Sequence, residues 1–464
     1  MRIIKAVFHI SFTLFLTTTL QAQATSARLQ KAYAAFENDP QLKYASHSLY
    51  VVEVATGKPV FSKNIRQGLA PASTQKVVTA AAAYAILGQE FQYNTSFGLD
   101  PETKTLFIRA SGDPSFGSIR YATTKPERLV EAIADSFSKN GISNISGWKV
   151  LPQSKNADTQ LLPDGWIVQD IGNYYGAGAM LLNWRENQYE LLLKSTSKIG
   201  DPVEIVNKDK LPSELQNIDN QLKSAAAGSG DNAYIYLPFS GNRFQLKGTI
   251  PVGQSKFSIS GAVTNSAAYF MEALQAAFAQ KGMVVEENAA TTADKFDKGF
   301  TPIATVLSPT LDSLSYWFLR RSINLYGEAF LKTLGENKSG EWSAEAGLVT
   351  LRKFWAQQNI DSFALRMYDG SGLSPQNRVT TQALVQVLQY ARGQKWFGSY
   401  YAGFPNYNGM LMKSGTINGV KGFCGYHKSK KDGKEYVFAF LVNNHSGSSA
   451  ALVKKMFAVL DELK

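Results

Sequence analysis

The chain is predicted to be an α+β protein carrying a large β-rich insertion. Strand-forming runs occupy both ends of the chain, and apolar helical stretches lie between them. Residues 95–262 break instead into short β-rich runs punctuated by Gly, Pro and Asn, with a polar stretch from Lys208 to Asn232. Residues 47–64 read as a hairpin: Ser48 to Val54 is rich in β-formers, Ala55-Thr56-Gly57-Lys58 turns, and Val60-Phe61 resumes. A helix is expected from Ala72 to Leu87, with Pro71 at its start and Gly88 at its end. Further helical stretches fall near 266–281, 311–334, 342–357 and 380–392. Lys413 to Thr416, Gly422 to His427 and Tyr436 to Asn443 read as successive strands, the last two joined by a turn at Asp432-Gly433. A helix from Ser449 to Leu463 closes the chain, with Leu452, Met456 and Leu460 sharing one face.

The N-terminus sets the compartment. Arg2 and Lys5 precede a mostly apolar run from Ala6 to Leu20, and Ala22-Gln23-Ala24 fits a small-x-small cleavage site, so residues 1–24 read as an export signal. That run, of about 15 residues and interrupted by hydroxyl side chains, is too short to span a bilayer. The remaining residues, roughly 440, exceed one hydrophobic core, and two or three domains are expected. The formal charge is +11, of which Arg2 and Lys5 supply two. No Arg-rich or Gly/aromatic recognition motif accompanies that charge, so no nucleic-acid partner is expected. Peripheral attraction to an anionic cell wall or membrane surface is the simpler reading. Cys424 is the sole cysteine, which excludes an intramolecular disulfide and makes it a small buried hydrophobe. Beyond the leader only His47, His427 and His445 remain, with no HExxH pattern, no Cys/His cluster and no G-x-S-x-G elbow. No metal and no cofactor are called for, and Ser-His-Asp chemistry is disfavoured.

Three short motifs carry the chemistry. Ser73 and Lys76 stand at i and i+3 near a helix start, so their side chains share a face, and a neutral amine there can take the serine proton. Ser136/Lys139 and Ser195/Lys198 match the same spacing, but only Ser73 opens a long helix whose Val77 to Ala85 run demands burial on most faces. Ser322-Ile323-Asn324 lies among Trp317, Phe318, Leu319, Leu325, Tyr326 and Phe330, a setting in which two polar side chains need partners. Ser322 is the candidate proton relay to the leaving amine, and Asn324 the amide that positions substrate or lysine. Lys413-Ser414-Gly415-Thr416 opens a strand region, 91 residues after Ser322 and 340 after Ser73. A strand edge can pair with an extended peptide. Gly415 would let a substrate backbone approach closely, while Lys413 and the hydroxyls of Ser414 and Thr416 would hold a free carboxylate.

In order and context these motifs match the S-x-x-K, S-D-N and K-T-G set of β-lactamases and penicillin-binding proteins. Over essentially its whole mature length the chain resembles the class C low-molecular-mass penicillin-binding proteins, which are D-alanyl-D-alanine carboxypeptidases/endopeptidases of the cell wall. Ser111-Gly112-Asp113-Pro114-Ser115, Pro163-Asp164-Gly165-Trp166, Asn324-Leu325-Tyr326-Gly327-Glu328 and Asp369-Gly370-Ser371-Gly372-Leu373-Ser374 extend the likeness. Ile323, Ser414 and Gly327 depart from the family's usual Asp, Thr and Ala, but none removes a reacting group.

The resemblance implies a transpeptidase-like domain, an antiparallel sheet flanked by helices, formed by residues 25–94 and 263–464. Residues 95–262 would be the insertion of two nested domains, the second at about 186–262. It further implies a periplasmic enzyme acting on peptidoglycan stem peptides and inhibited covalently by β-lactams. Ser73 would attack a D-alanyl carbonyl with Lys76 as base, the backbone N–H groups of Ser73 and Thr416 forming the oxyanion hole. Asp113 would bind the amine of a diaminopimelate side chain, with an Asx-type turn before Pro114 as the structural alternative. Two rivals exist. A β-lactamase or esterase is disfavoured by the large insertion and by the lack of an E-x-x-L-N sequence. A silent wall-binding scaffold would require a missing reacting residue, and none is missing.

Overall fold

The strands expected at opposite ends of the chain form one sheet. A computed structural model describes residues 24–154, 156–158, 160–286 and 301–464; the expected leader, up to residue 23, lies outside them. The chain divides into two units. The first holds residues 24–82, Tyr316–Ser322 and Leu351–Lys464; the second holds Ala83–Ser315 and Ile323–Thr350. Residues 95–262 fall wholly within the second unit, together with 83–94, 263–315 and 323–350.

The first unit is built on a six-stranded sheet, in the order Pro59–Lys63, Ser46–Glu53, Glu435–Asn443, Val420–Lys428, Met410–Ile417, Asn406–Tyr407. Every pairing is antiparallel. The period-2 alternation of each strand separates two faces of different character. Leu49, Val51, Met412, Phe423, Phe438, Phe440 and Val442 point to one face. There they pack under a helix over 24–37 and the C-terminal helix Ser449–Leu460, which contribute Leu29, Tyr33, Phe36, Leu452, Met456 and Leu460. Each such side chain contributes about 1.5–3 kcal/mol by leaving water. The other face carries Gly415, Gly422, Cys424 and Ala439 on neighbouring strands. Small residues there leave room for helices to lie close to the backbone of the sheet. The helix Thr381–Arg392 is tied to that face by Ser48 Oγ to Thr381 Oγ1 (2.6 Å) and by the Tyr426 hydroxyl donating to the Leu388 carbonyl (2.7 Å).

Among the described residues, the second unit shows two hydrophobic cores. Around Phe97, Phe116, Trp184 and Phe270, the helices Pro126–Lys139 and Ser266–Gln280 cover a sheet of Ala304–Leu307, Asn94–Leu99, Thr105–Ala110 and Gly147–Pro152. Around Leu191, Leu193, Leu246, Ile250 and Ile259, small sheets from residues 188–262 form the other. Two features depart from the sequence reading. The stretch taken as β-rich includes the helix Pro126–Lys139, which buries Leu129, Val130, Ile133 and Phe137 on one stripe. The helical stretch near 311–334 is two helices, Leu311–Arg321 and Asn324–Ser339, because Ser322 adopts φ 59° and ends the first. Neither glycine nor proline marks that break in the sequence.

Candidate active site

The nucleophile helix begins more tightly than an α-helix. Ala72–Gln75 form a 3-10 turn, with Ala72 at φ 46°, and the α-helix runs from Lys76 to Leu87. At three residues per turn, positions i and i+3 lie directly above one another. Ser73 is half-buried and Lys76 is 0 % exposed, and Lys76 Nζ lies 3.0 Å from Ser73 Oγ. The same nitrogen donates to the Ser371 carbonyl at 2.7 Å.

That carbonyl belongs to a loop folded around one carboxylate. Asp369, 0 % exposed, accepts at Oδ1 from Gln75 Nε2 (2.9 Å), Gly372 N (2.8 Å) and Asn377 Nδ2 (2.9 Å), and at Oδ2 from Ser374 N (2.6 Å). Thr79 Oγ1 donates to the Gly370 carbonyl at 2.7 Å, so the loop is pinned along the helix at positions 75, 76 and 79. Gly372 sits at φ 86°, and a Cβ there would stand 2.0 Å from the Ala72 carbonyl oxygen. The sequence displayed this loop as a family likeness; its work of fixing Lys76 becomes visible only in three dimensions.

Lys413 is the second buried amine. It is 1 % exposed, and Nζ donates to Ser322 Oγ (2.9 Å) and to the Ser414 carbonyl (2.8 Å). Burial pulls its pKa down to about 7; the Cys424 thiol directly across the strands opposes that shift, and the charge of Lys421 adds to it. Ser414 is half-buried and Thr416 exposed, the latter accepting from Lys421 Nζ at 2.7 Å. Cys424 is fully buried, its thiol pushed up to about 12. It packs as the small hydrophobe that the sequence suggested.

Gly415 has a nearer reason than substrate approach. It is buried, and a Cβ built on it would lie 2.5 Å from the Pro71 carbonyl oxygen, 2.9 Å from Thr74 N and 3.0 Å from Ser73 N. The protein's own nucleophile turn therefore occupies the space assigned to a substrate backbone. Because these neighbours are backbone atoms, Gly415→Ala must push the turn away from the strand. We expect a loss of about 1–3 kcal/mol, read as a lowered Tm, and penicillin acylation slowed by about tenfold or more. A variant that acylates at the native rate would show that the strand does not set the position of Ser73.

Asn324 follows Ser322 by two residues and opens the next helix. It is 8 % exposed, and its Nδ2 donates to the Tyr175 carbonyl at 2.7 Å. The helix it begins is gripped by the rest of the second unit. The Tyr326 hydroxyl donates to Glu186 Oε1 (3.0 Å), and Lys332 Nζ to the carbonyls of Gln160 (2.7 Å) and Ala179 (3.1 Å).

Asp113 sits in a turn of its own. It is 3 % exposed, and Oδ1 accepts from both the backbone N–H (2.8 Å) and the hydroxyl (2.7 Å) of Ser115, which is the Asx-turn alternative. Burial raises its pKa to about 6, the two Ser115 bonds working against that rise. Among the described residues no cluster of three His, Cys, Asp or Glu side chains could hold a metal ion, and no helix is long and apolar enough to cross a membrane.

Acyl transfer by a serine that a lysine deprotonates, with no histidine involved, is the chemistry this arrangement permits. Penicillin-binding proteins and serine β-lactamases are the class that runs it. The chain belongs to the D-Ala-D-Ala carboxypeptidase 3 (S13) family, which matches residues 29–463. It is thus a serine-type D-alanyl-D-alanine carboxypeptidase of α+β fold. It is similar to the D-alanyl-D-alanine carboxypeptidase of Actinomadura sp. (strain R39), 25% identical over 94% of this chain and 86% of that protein. It is also similar to the D-alanyl-D-alanine carboxypeptidase DacB of Haemophilus influenzae, 25% identical over 81% of this chain and 80% of the relative. The crystal structure of penicillin binding protein 4 (dacB) from Haemophilus influenzae has the same fold. It superposes with a TM-score of 0.74 at 20% identity, covering 90% of this chain and 96% of that one. That protein complexed with a β-lactam superposes with a TM-score of 0.68, also at 20% identity, covering 90% and 95%.

Proposed function

We propose that the enzyme cleaves peptidoglycan stem peptides through an acyl-enzyme on Ser73. The observation that carries this reading is the 3.0 Å approach of Lys76 Nζ to Ser73 Oγ at the start of a buried helix. Lys76, as the neutral amine, takes the serine proton as Oγ attacks the D-alanyl carbonyl. The N–H groups of Ser73 and Thr416 face the developing oxyanion, a contribution on the order of 10²–10³ in rate per donor. Ser322, bonded to Lys413 Nζ, gives its proton to the departing amine and is reprotonated from the Lys76 ammonium, which returns Lys76 to the neutral amine; Asn324 is read as the amide that positions substrate. Lys413 with the Ser414 and Thr416 hydroxyls holds the carboxylate beside the scissile nitrogen. Water then attacks the ester, Lys76 taking its proton, and releases the acyl product with the Ser73 hydroxyl restored.

A terminal D-Ala and the D-centre of a cross-linking diaminopimelate both present such a carboxylate, so the same groups serve carboxypeptidase and endopeptidase cleavage. Residues 25–94 and 263–464 are read as the catalytic domain and 95–262 as its insertion. The leader at 1–24 places the mature enzyme in the periplasm, where its positive charge draws it to the wall or membrane surface.

The experiment is covalent labelling. A fluorescent penicillin is expected to label the mature protein one to one, and Ser73→Ala to abolish the band at unchanged Tm. Persistent labelling of that variant would reject Ser73. Mass spectrometry of digested monomeric and cross-linked muropeptides then reads the cleavage preference.

A further inference from the structure

We propose that Lys421 is a positioning residue for the carboxylate of the substrate, acting through the hydroxyl of Thr416. The inference rests on the acyl-enzyme reading above and names a determinant of its specificity. Thr416 and Lys421 are cross-strand partners, and Lys421 Nζ lies 2.7 Å from Thr416 Oγ1. An ammonium has only protons to give. The Thr416 oxygen therefore accepts, which leaves its own O–H to donate elsewhere.

Among the described residues, the strand Met410–Ile417 is paired on its outer side only at Met410 and Leu411, so the edge from Lys413 onward is open for an added peptide strand. Two of the three Lys413 protons go to Ser322 Oγ and the Ser414 carbonyl. On the acyl-enzyme reading, in which the Thr416 hydroxyl helps hold the carboxylate, that hydroxyl has a second cation, Lys421, behind it. Lys421 is half-buried, and its amine stands 5.1 Å from the Phe423 ring centroid, which braces the stem against the sheet. Its charge also bears on Lys413, whose pKa it helps to lower.

The test compares two peptides, one ending in a free D-Ala-D-Ala carboxylate and the same peptide ending in the amide. In Lys421→Met, KM for the acid is expected to rise about tenfold, with kcat within twofold. The kcat/KM for the amide should stay within twofold of native. Lys421→Arg, which keeps a cationic donor, should return KM to within about threefold. Thr416→Val should show the same loss for the acid, and adding Lys421→Met to it should cost little more, since one path carries both effects. Equal losses on acid and amide, an unchanged KM for the acid, or additive losses in the double variant would each overturn the proposal. Fluorescent-penicillin labelling runs in parallel. A native enzyme not labelled at Ser73 removes the parent reading, whereas a labelled Lys421→Met with native KM removes this inference alone. Should Lys421→Met fail to fold, Lys421→Ala takes its place in the same comparison of acid and amide, with the same outcomes.

Discussion

Lys76→Met will acylate with penicillin about 10²–10⁴ times more slowly than the native enzyme, the span typical of a lost general base. Methionine fills nearly the same volume, so the change removes the amine without opening a cavity. It leaves the Ser371 carbonyl without the proton it accepts at 2.7 Å, a loss of about 1–3 kcal/mol, so Tm should fall modestly while the fold persists. Lys76→Arg separates base from charge. A guanidinium keeps the positive charge but cannot give up its proton to become a base, so this variant is expected to be as slow as the methionine one. Time courses of acyl-enzyme formation by mass spectrometry read both. Arginine restoring even a tenth of the native rate would mean that Lys76 supplies only electrostatic stabilisation, and another group would have to take the serine proton.

Binding of a carboxylate-ended peptide to Ser73→Ala will weaken as pH rises above about 7, while its amide will show no such trend. The sign follows from Lys413, which burial has brought down to about 7. Below that value the ammonium is already present and the carboxylate binds at no extra cost. Above it the free enzyme holds a neutral amine, which must be protonated for the ion pair to form. The carboxylate favours the charged form, so the bound-state pKa is higher than the free one. Between the two values Kd should rise by up to about tenfold per pH unit, accompanied by proton uptake in a calorimeter. The Cys424 thiol, pushed up to about 12, stays neutral across this window. A Kd that is the same at pH 6 and pH 9 would remove Lys413 from the carboxylate site.

Much of this site is local in sequence, and that part was legible. Ser73 and Lys76 are a single turn apart, and the apolar run from Val77 to Ala85 signals that the turn is buried. The strand character of 413–416, 422–427 and 436–443 and the stripe Leu452, Met456, Leu460 could be read from the sequence. Other features depend on backbone conformation or on distant partners. The break at Ser322 is a single left-handed residue inside a helical pattern, with no glycine or proline to announce it. The reason for Gly415 is the backbone of residues 71–74, more than 340 positions earlier. Asp113 takes up an Asx turn, its Oδ1 accepting the N–H and hydroxyl of Ser115, a pairing that its sequence setting offered as one of two readings. The loop at Asp369 carries an evident string of small and polar residues, but only its contacts with Gln75, Lys76 and Thr79 reveal what it holds.

One consequence concerns the order in which the molecule can be assembled. The strand Ser46–Glu53, near the beginning, completes its pairing with Glu435–Asn443, near the end, with Ser46 opposite Asn443. A chain emerging from its N-terminus must wait for almost its full length before that ladder can close, and contacts so distant form slowly. Until then the turn bearing Ser73 has no strand at Gly415 to rest on. A chain cut before Glu435 lacks the central strand that joins Ser46–Glu53 to Val420–Lys428, and is expected to hydrolyse nothing.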